Sequence, residues 1–195
     1  MNILPPSTAE SSGGWCRQTG GVTDTAQVFS ALLAVLAVVG AVVIFASHVA
    51  GASGDALLAG VREVAHWLAF VVAGTAMVGS LYFSEVAEYV PCKLCWYQRI
   101  AMYSLAVILL VAAIKRDAGV TKYAIPLAVT GAVISTYHYL LEWFPSIETD
   151  VCSIDVPCTT IWFREFGFAT LSFMALSGFV LIIALMVTIQ TRKEQ

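Results

Sequence analysis

Residues 91–114 read PCKLCWYQRIAMYSLAVILLVAAI: a Cys-x-x-Cys pair, then a glutamine and an arginine, then an uncharged apolar run that ends at Lys115. From Trp96 to Ile114 the run is long enough to cross a bilayer, since a helix rising about 1.5 Å per residue needs roughly 20 residues for a hydrocarbon core of about 30 Å. The two thiols therefore stand where a membrane span meets water. Thiol chemistry set against lipid suggests electrons passing between soluble dithiols and a carrier dissolved in the membrane.

Outward from this stretch the whole chain is apolar. Of 195 residues, 59% are hydrophobic and 12% charged, with a mean hydropathy of +0.83, which is an integral-membrane composition. Four further spans are expected, from Gln27 to Ser47, Val64 to Phe83, Tyr123 to Leu141 and Phe168 to Ile189. The first is rich in Ala and Val. Its 21 residues exceed the apolar core of a secretory signal and no basic segment precedes it, so it reads as a retained span. No repeat, soluble domain or long linker is apparent. Residues 1–26 read as a flexible polar tail, residues 51–60 as a short loop and Lys115 to Lys122 as a tight basic turn. Pro126 is expected in the first turn of its span, where the missing N–H costs little.

Lys and Arg are retained on the cytoplasmic side of membrane proteins. One set of loops carries Arg62, Lys115, Arg116, Lys122, Arg192 and Lys193 against Asp55, Glu63, Asp117 and Glu194, a net +2. The other carries Arg17, Lys93, Arg99 and Arg164 against nine acids, a net −5. The C-terminus is thus expected in the cytoplasm and the N-terminus outside. Cys16, Cys92, Cys95, Cys152 and Cys158 then all lie on the outer side, where disulfides form and persist. Four of them group as two pairs, Cys92 with Cys95 and Cys152 with Cys158; Cys16 is left over. The second pair sits in the longest outer connection, Glu142 to Gly167, whose Trp143, Phe144, Trp162 and Phe163 suit the membrane interface.

With Pro91 as the first helical residue, Cys92, Cys95 and Arg99 fall on one face at i, i+3 and i+7, and the stripe continues to Met102 and Tyr103. A thiolate at a helix N-terminus feels the positive end of the macrodipole, and a guanidinium one turn below adds a second stabilising charge. Arg99 is also placed to stabilise negative charge on an acceptor oxygen, and an arginine a turn inside the membrane is a functional candidate by default. Plainer readings stand beside these. A Cys-x-x-Cys can be a structural disulfide or half a metal site, and Cys152-x5-Cys158 can simply staple a loop. Arg99 can anchor the interface, and Gln98 can be an ordinary polar neighbour. Met102, Tyr103 and His138 can be packing residues, and His48 and His66 are assigned nothing.

The residues Gly79-Ser80-Leu81-Tyr82-Phe83-Ser84-Glu85, Pro91-Cys92 with Leu94-Cys95-Trp96-Tyr97-Gln98-Arg99-Ile100, Met102-Tyr103, Lys122-Tyr123, Pro126, His138-Tyr139-Leu140, Val156-Pro157-Cys158 and Phe166-Gly167-Phe168 resemble the disulfide-bond formation protein B (DsbB) family, and within it the shorter BdbC-like members. The resemblance covers roughly residues 64–190. It implies an all-α integral membrane protein, a four-helix transmembrane bundle over 61–195, preceded by an extra tail and span over 1–60 that the family core lacks. It also implies a bacterial plasma-membrane oxidoreductase that reoxidises a DsbA- or BdbD-like thioredoxin-fold protein and delivers the electrons to menaquinone or ubiquinone, supporting disulfide formation in exported proteins. No nucleic acid and no metal enter this reading.

By the same carry-over, Cys95 meets the quinone and Cys92 is its exchange partner. Cys152 is attacked by the reduced partner, Cys158 relays to Cys92, and Arg99 and His138 border the quinone. Two other classes share features. A vitamin K epoxide reductase-like enzyme has the same parts, but there the loop cysteines precede the Cys-x-x-Cys. A structural four-cysteine zinc protein would need Cys-x2-Cys followed much later by Cys-x5-Cys, an imperfect spacing.

Overall fold

The computed structural model of the protein describes residues 16–148, 151–152 and 156–190. Residues 1–15 of the expected tail, and Arg192, Lys193 and Glu194 of the expected cytoplasmic face, lie outside the described residues, as does the side chain of Cys16. Among the described residues five α-helices form the fold: α1 (Cys16–Val49), α2 (Ala52–Glu85), α3 (Lys93–Lys115), α4 (Thr121–Trp143) and α5 (Leu171–Gln190). All five are long and apolar enough to cross a membrane. They run up and down, so the start of α1, the α2–α3 connection and the α4–α5 connection share one end of the bundle, and that end carries Cys92, Cys95, Cys152 and Cys158.

Helix α5 is the central element. It packs on α1, α2 and α4, and among its residues only Gln190 is exposed, as expected of a helix apolar on every side. Phe179, Ile182, Leu185 and Met186 of α5 meet Leu105 and Leu109 of α3 in the core. Helices in lipid gain little from hydrophobicity alone and associate through close packing, which small residues permit. Ala65, Ala69 and Ala73 of α2 and Ala124 and Ala128 of α4 are fully buried in this way. Gly131 continues the α4 stripe, and a Cβ there would fall on the ring of Phe179. The outward faces are apolar too: Leu36, Val71, Val107 and Val133 are exposed, which suits hydrocarbon rather than water.

Several boundaries differ from expectation, each for a local reason. Helix α1 already begins at Cys16 rather than near Gln27, because a helix once nucleated propagates cheaply through polar residues; Thr25 Oγ1 donates back to the Gly21 carbonyl at 2.8 Å. The expected loop over 51–60 is helix from Ala52. The turn needs only Ala50 and Gly51, the latter at φ +58°, and the following Ala56-Leu57-Leu58-Ala59 are strong helix formers. Pro126 lies in the second turn of α4, not the first, so the Lys122 carbonyl loses its helical donor close to the water-facing end. Helix α5 starts at Leu171 instead of Phe168, because Glu165 and Ala169 pair across a tight turn made by Phe166 at φ +53° and Gly167 at φ +80°.

Candidate active site

A further boundary shift, at the start of α3, creates the site. Helix α3 begins at Lys93, and Cys92, expected inside the helix behind Pro91, is its N-cap, with φ −71° and ψ 173°. The Cys92 sulfur takes the place of the usual capping oxygen and accepts from the Cys95 backbone N–H at 3.3 Å, satisfying one of the orphan donors of the first turn. The two sulfurs are free thiols 2.8 Å apart. They nevertheless face different surroundings, and the single face expected for Cys92, Cys95 and Arg99 is divided.

Cys95 opens into a cavity of about 390 Å³ that is also lined by Gln98, Arg99, Met102 and Tyr103. Arg99 Nη2 donates to the Ser80 carbonyl at 3.0 Å, and its guanidinium lies 5.4 Å from the Trp96 ring centroid. Its hydrogen bond goes to a neutral carbonyl, so the positive charge remains effective toward the cavity. The remaining walls are mostly apolar, from Val72 and Ala76 of α2 to Ala175 and Gly178 of α5.

Cys92 turns to the other side. It is buried with Leu94, Leu141 and Cys158, with Cys95, Cys152 and Val156 packed against them, so all four cysteines meet in one cluster. Cys152 and Cys158 are joined as a disulfide, as their grouping suggested. His138, expected beside the acceptor, sits behind Cys92 and does not line the large cavity. Gln98 Nε2 donates to His138 Nδ1 at 2.9 Å, which leaves the imidazole proton on Nε2. From there it faces the Cys158 carbonyl at 3.1 Å and the Cys92 sulfur at 3.6 Å. One imidazole thus ties the first pair to the second.

Two residues of this cluster were not singled out from the sequence. Gln98 read as an ordinary polar neighbour, yet it fixes the tautomer of His138. Glu142 read only as one of the outer acids, yet it is buried one helical turn beyond His138 and lines the same small pocket as Cys92. Ser172 Oγ donates to one of its oxygens; the other has no hydrogen-bond partner. The i, i+4 spacing of His138 and Glu142 was the available signal.

The loop that carries the disulfide is held over the site by rings. Trp162 stacks on Tyr89 with centroids 4.9 Å apart, and Phe163 packs on Phe83 at 5.3 Å. Phe163 is half-buried by this packing, while Trp162, like Trp143 and Phe144, stays exposed on its outer side. The four-thiol zinc arrangement does not form, because two of its ligands are spent in a disulfide. Cys92, Cys95 and His138 still place their ligand atoms within 4.8 Å of one another.

The electrostatics of Cys92 follow from these neighbours. The Cys95 thiol donating to it, and then His138, outweigh the cost of burial and hold its thiol well below the ordinary range, at about 4. A lowered value means that the anion exists above that pH and is lost only as pH falls through it. Thiolate ultraviolet absorbance of the reduced protein is therefore expected to persist on acidification to about pH 5, where an ordinary thiol with a pKa of about 8.5 is fully protonated. Cys95→Ala should move the transition upward. A wild-type transition near that of a free thiol would refute the assignment.

Known proteins resemble the part of the chain that carries this site. The family model described as disulfide bond formation protein DsbB matches residues 62–189. Disulfide bond formation protein C of Bacillus subtilis is 44% identical over 135 residues, 69% of this chain and 98% of that protein. A probable disulfide formation protein C of Halalkalibacterium halodurans is 45% identical over 115 residues, 58% of this chain and 83% of its own. A probable disulfide formation protein of Oceanobacillus iheyensis is 46% identical over 121 residues, covering 60% and 83%. No solved structure matches the chain.

Proposed function

The chain belongs to the disulfide bond formation protein DsbB family, and from that premise we propose that this multi-pass membrane thiol–disulfide oxidoreductase reoxidises a DsbA-like thioredoxin-fold dithiol protein and passes the electrons to membrane quinone. The observation that carries the reading is the division of the pair: Cys95 opens to an apolar cavity with a cation at its end, while Cys92, 2.8 Å away, faces the loop disulfide.

A reduced partner thiolate attacks Cys152, breaking the Cys152–Cys158 bond and releasing Cys158 as thiolate. The partner's second thiolate resolves the mixed disulfide, so the partner leaves oxidised and the loop holds two thiols. Cys158 then attacks Cys92 of an oxidised Cys92–Cys95 pair, with Cys95 as the leaving thiolate stabilised by Arg99. Attack of Cys152 on Cys158 restores the loop disulfide and frees Cys92. Re-forming the Cys92–Cys95 bond releases two electrons. The cavity fits the acceptor: its volume lies in the range of small-molecule sites, its walls are apolar, and Cys95 and Arg99 stand together on one side. A quinone bound there supplies a two-electron, two-proton acceptor. Potential supports the same direction, since a DsbA-type disulfide near about −120 mV needs a higher-potential sink than glutathione-like couples near about −200 mV.

The proposed setting is a bacterial plasma membrane with the cysteine end outside the cytoplasm and the C-terminus inside, supported by the basic-residue bias and by the redox chemistry itself. The test is a coupled assay with the purified protein in detergent, a reduced DsbA-type protein, and menaquinone or ubiquinone analogues. One quinone reduced per partner disulfide formed is expected. Partner oxidation that proceeds equally without quinone, or no turnover with either analogue, would overturn the reading.

A further inference from the structure

The matched residues begin at 62, and a relative aligned over 98% of its length in 135 residues leaves no room for a counterpart of α1. Yet α1 is built into the site. Its inward stripe runs Gln27, Ser30, Ala34, Ala37, Ala41 and Ile44 at helical spacing. Ala41 and Ile44 join the core, while Ser30, Ala34 and Ala37, with Leu33, form a wall of the cavity that holds Cys95 and Arg99. Both ends are pinned. Gln27 Nε2 donates to the Tyr89 hydroxyl at 2.6 Å, and Tyr89 is the ring sandwiched between Phe83 and Trp162 at the cysteine end. At the far end His48 Nε2 and Thr188 Oγ1 lie 3.0 Å apart. Between these ties α1 covers α5 and α2, which supply much of the rest of the cavity wall.

From Ser30 to Ala37 the wall descends seven residues, about 10 Å, away from the cysteine end and toward the middle of the membrane. Of the cavity's polar groups, Cys95, Gln98 and Arg99 sit at the start of α3, near the level of Gln27 and Tyr89, while Thr75, Tyr103 and Ser177 add hydroxyls elsewhere on a mostly apolar wall. The deeper part is walled by small side chains on α1 facing Ala175, Gly178 and Leu181 on α5. A ligand matched to both parts has a polar ring above and a branched apolar chain below. Building on the quinone reading, we propose that α1 is a selectivity wall, in which Leu33, Ala34 and Ala37 hold the first part of the isoprenoid tail of a long-tailed quinone whose ring lies at Cys95 and Arg99.

The experiment uses the full chain in lipid nanodiscs and quinones that share one ring but carry no tail, a short tail or a long one. Ala34→Leu and the half-buried Ala37→Leu fill the wall, and Val39→Leu, on the exposed face of α1, is the control. Thermal melting and a free-thiol count equal to that of the wild type report folding. The expected result is a KM for the long-tailed quinone that rises about tenfold relative to that for the tailless one in Ala34→Leu and Ala37→Leu, with the ratio unchanged in Val39→Leu. Wild-type turnover with an unchanged ratio in the filled variants, or an equal loss for tailed and tailless quinones, overturns the role of α1 and leaves the functional reading intact. A wild type that reduces no quinone removes the functional reading itself, and this inference with it.

Discussion

Cys95→Ser is expected to abolish quinone reduction, by about 10³-fold or more, while leaving the protein able to exchange disulfides at its loop. A serine oxygen can neither close the bond that releases two electrons nor leave as a thiolate. Cys92, however, keeps its place at the N-cap of α3, buried against Cys158, and His138 still touches both neighbours. Its thiolate then attacks the loop disulfide, and with no Cys95 to resolve the product, a Cys92–Cys158 bond should accumulate with Cys152 free. Mass spectrometry of the non-reduced, thiol-blocked protein reads this directly. Cys92→Ser should lose turnover equally but form no such cross-link, because it is Cys92 that is buried against Cys158 and touched by His138, whereas Cys95, though it borders the same small pocket, also opens to the cavity. Retained quinone reduction in Cys95→Ser, or the cross-link appearing in Cys92→Ser, would reverse the roles given to the two sulfurs.

That difference between two cysteines three positions apart shows how far the sequence could be read. Five apolar runs and a Cys-x-x-Cys at a membrane boundary are one-dimensional signals, and the structure returns all of them: five spans, the Cys152–Cys158 disulfide, and Arg99 in a cavity with Cys95. Helical spacing alone put Cys92 on the face of Cys95 and Arg99. It failed there because the helix starts at Lys93, two residues later than expected, so Cys92 takes extended dihedrals and turns toward α4. The positions of His138, Gln98 and Glu142 depend on the packing of α3 against α4, and no periodicity within either helix reports that contact. The place of α1 was illegible for the same reason. An uncharged Ala/Val run predicts a span but not its neighbours, and only the tie from Gln27 to Tyr89 and the packing on α5 show that it closes the cavity.

Arg99→Met is expected to raise the quinone KM by about 10- to 100-fold, the equivalent of one charge-assisted hydrogen bond of about 1.5–3 kcal/mol. Methionine keeps an apolar stem of similar reach and removes only the charged fork. In the wild type that fork is steadied by the Ser80 carbonyl and the Trp96 ring, with no carboxylate in its hydrogen bond to neutralise it. Arg99→Lys should fall between, since a point charge can meet an acceptor oxygen but cannot also span to Ser80 with the same planar fork. If Arg99 serves as an interface anchor instead, both variants would lower thermal stability and leave KM unchanged. Its effect on the dithiol end discriminates further. The Cys95 leaving group loses its nearest cation in Arg99→Met, so kcat should fall as well, whereas attack of the reduced partner on Cys152, on the far side of Cys92 from the cavity, should keep its rate. A variant that slows partner attack as much as quinone reduction would mean that Arg99 supports the whole end of the bundle, not the electron acceptor.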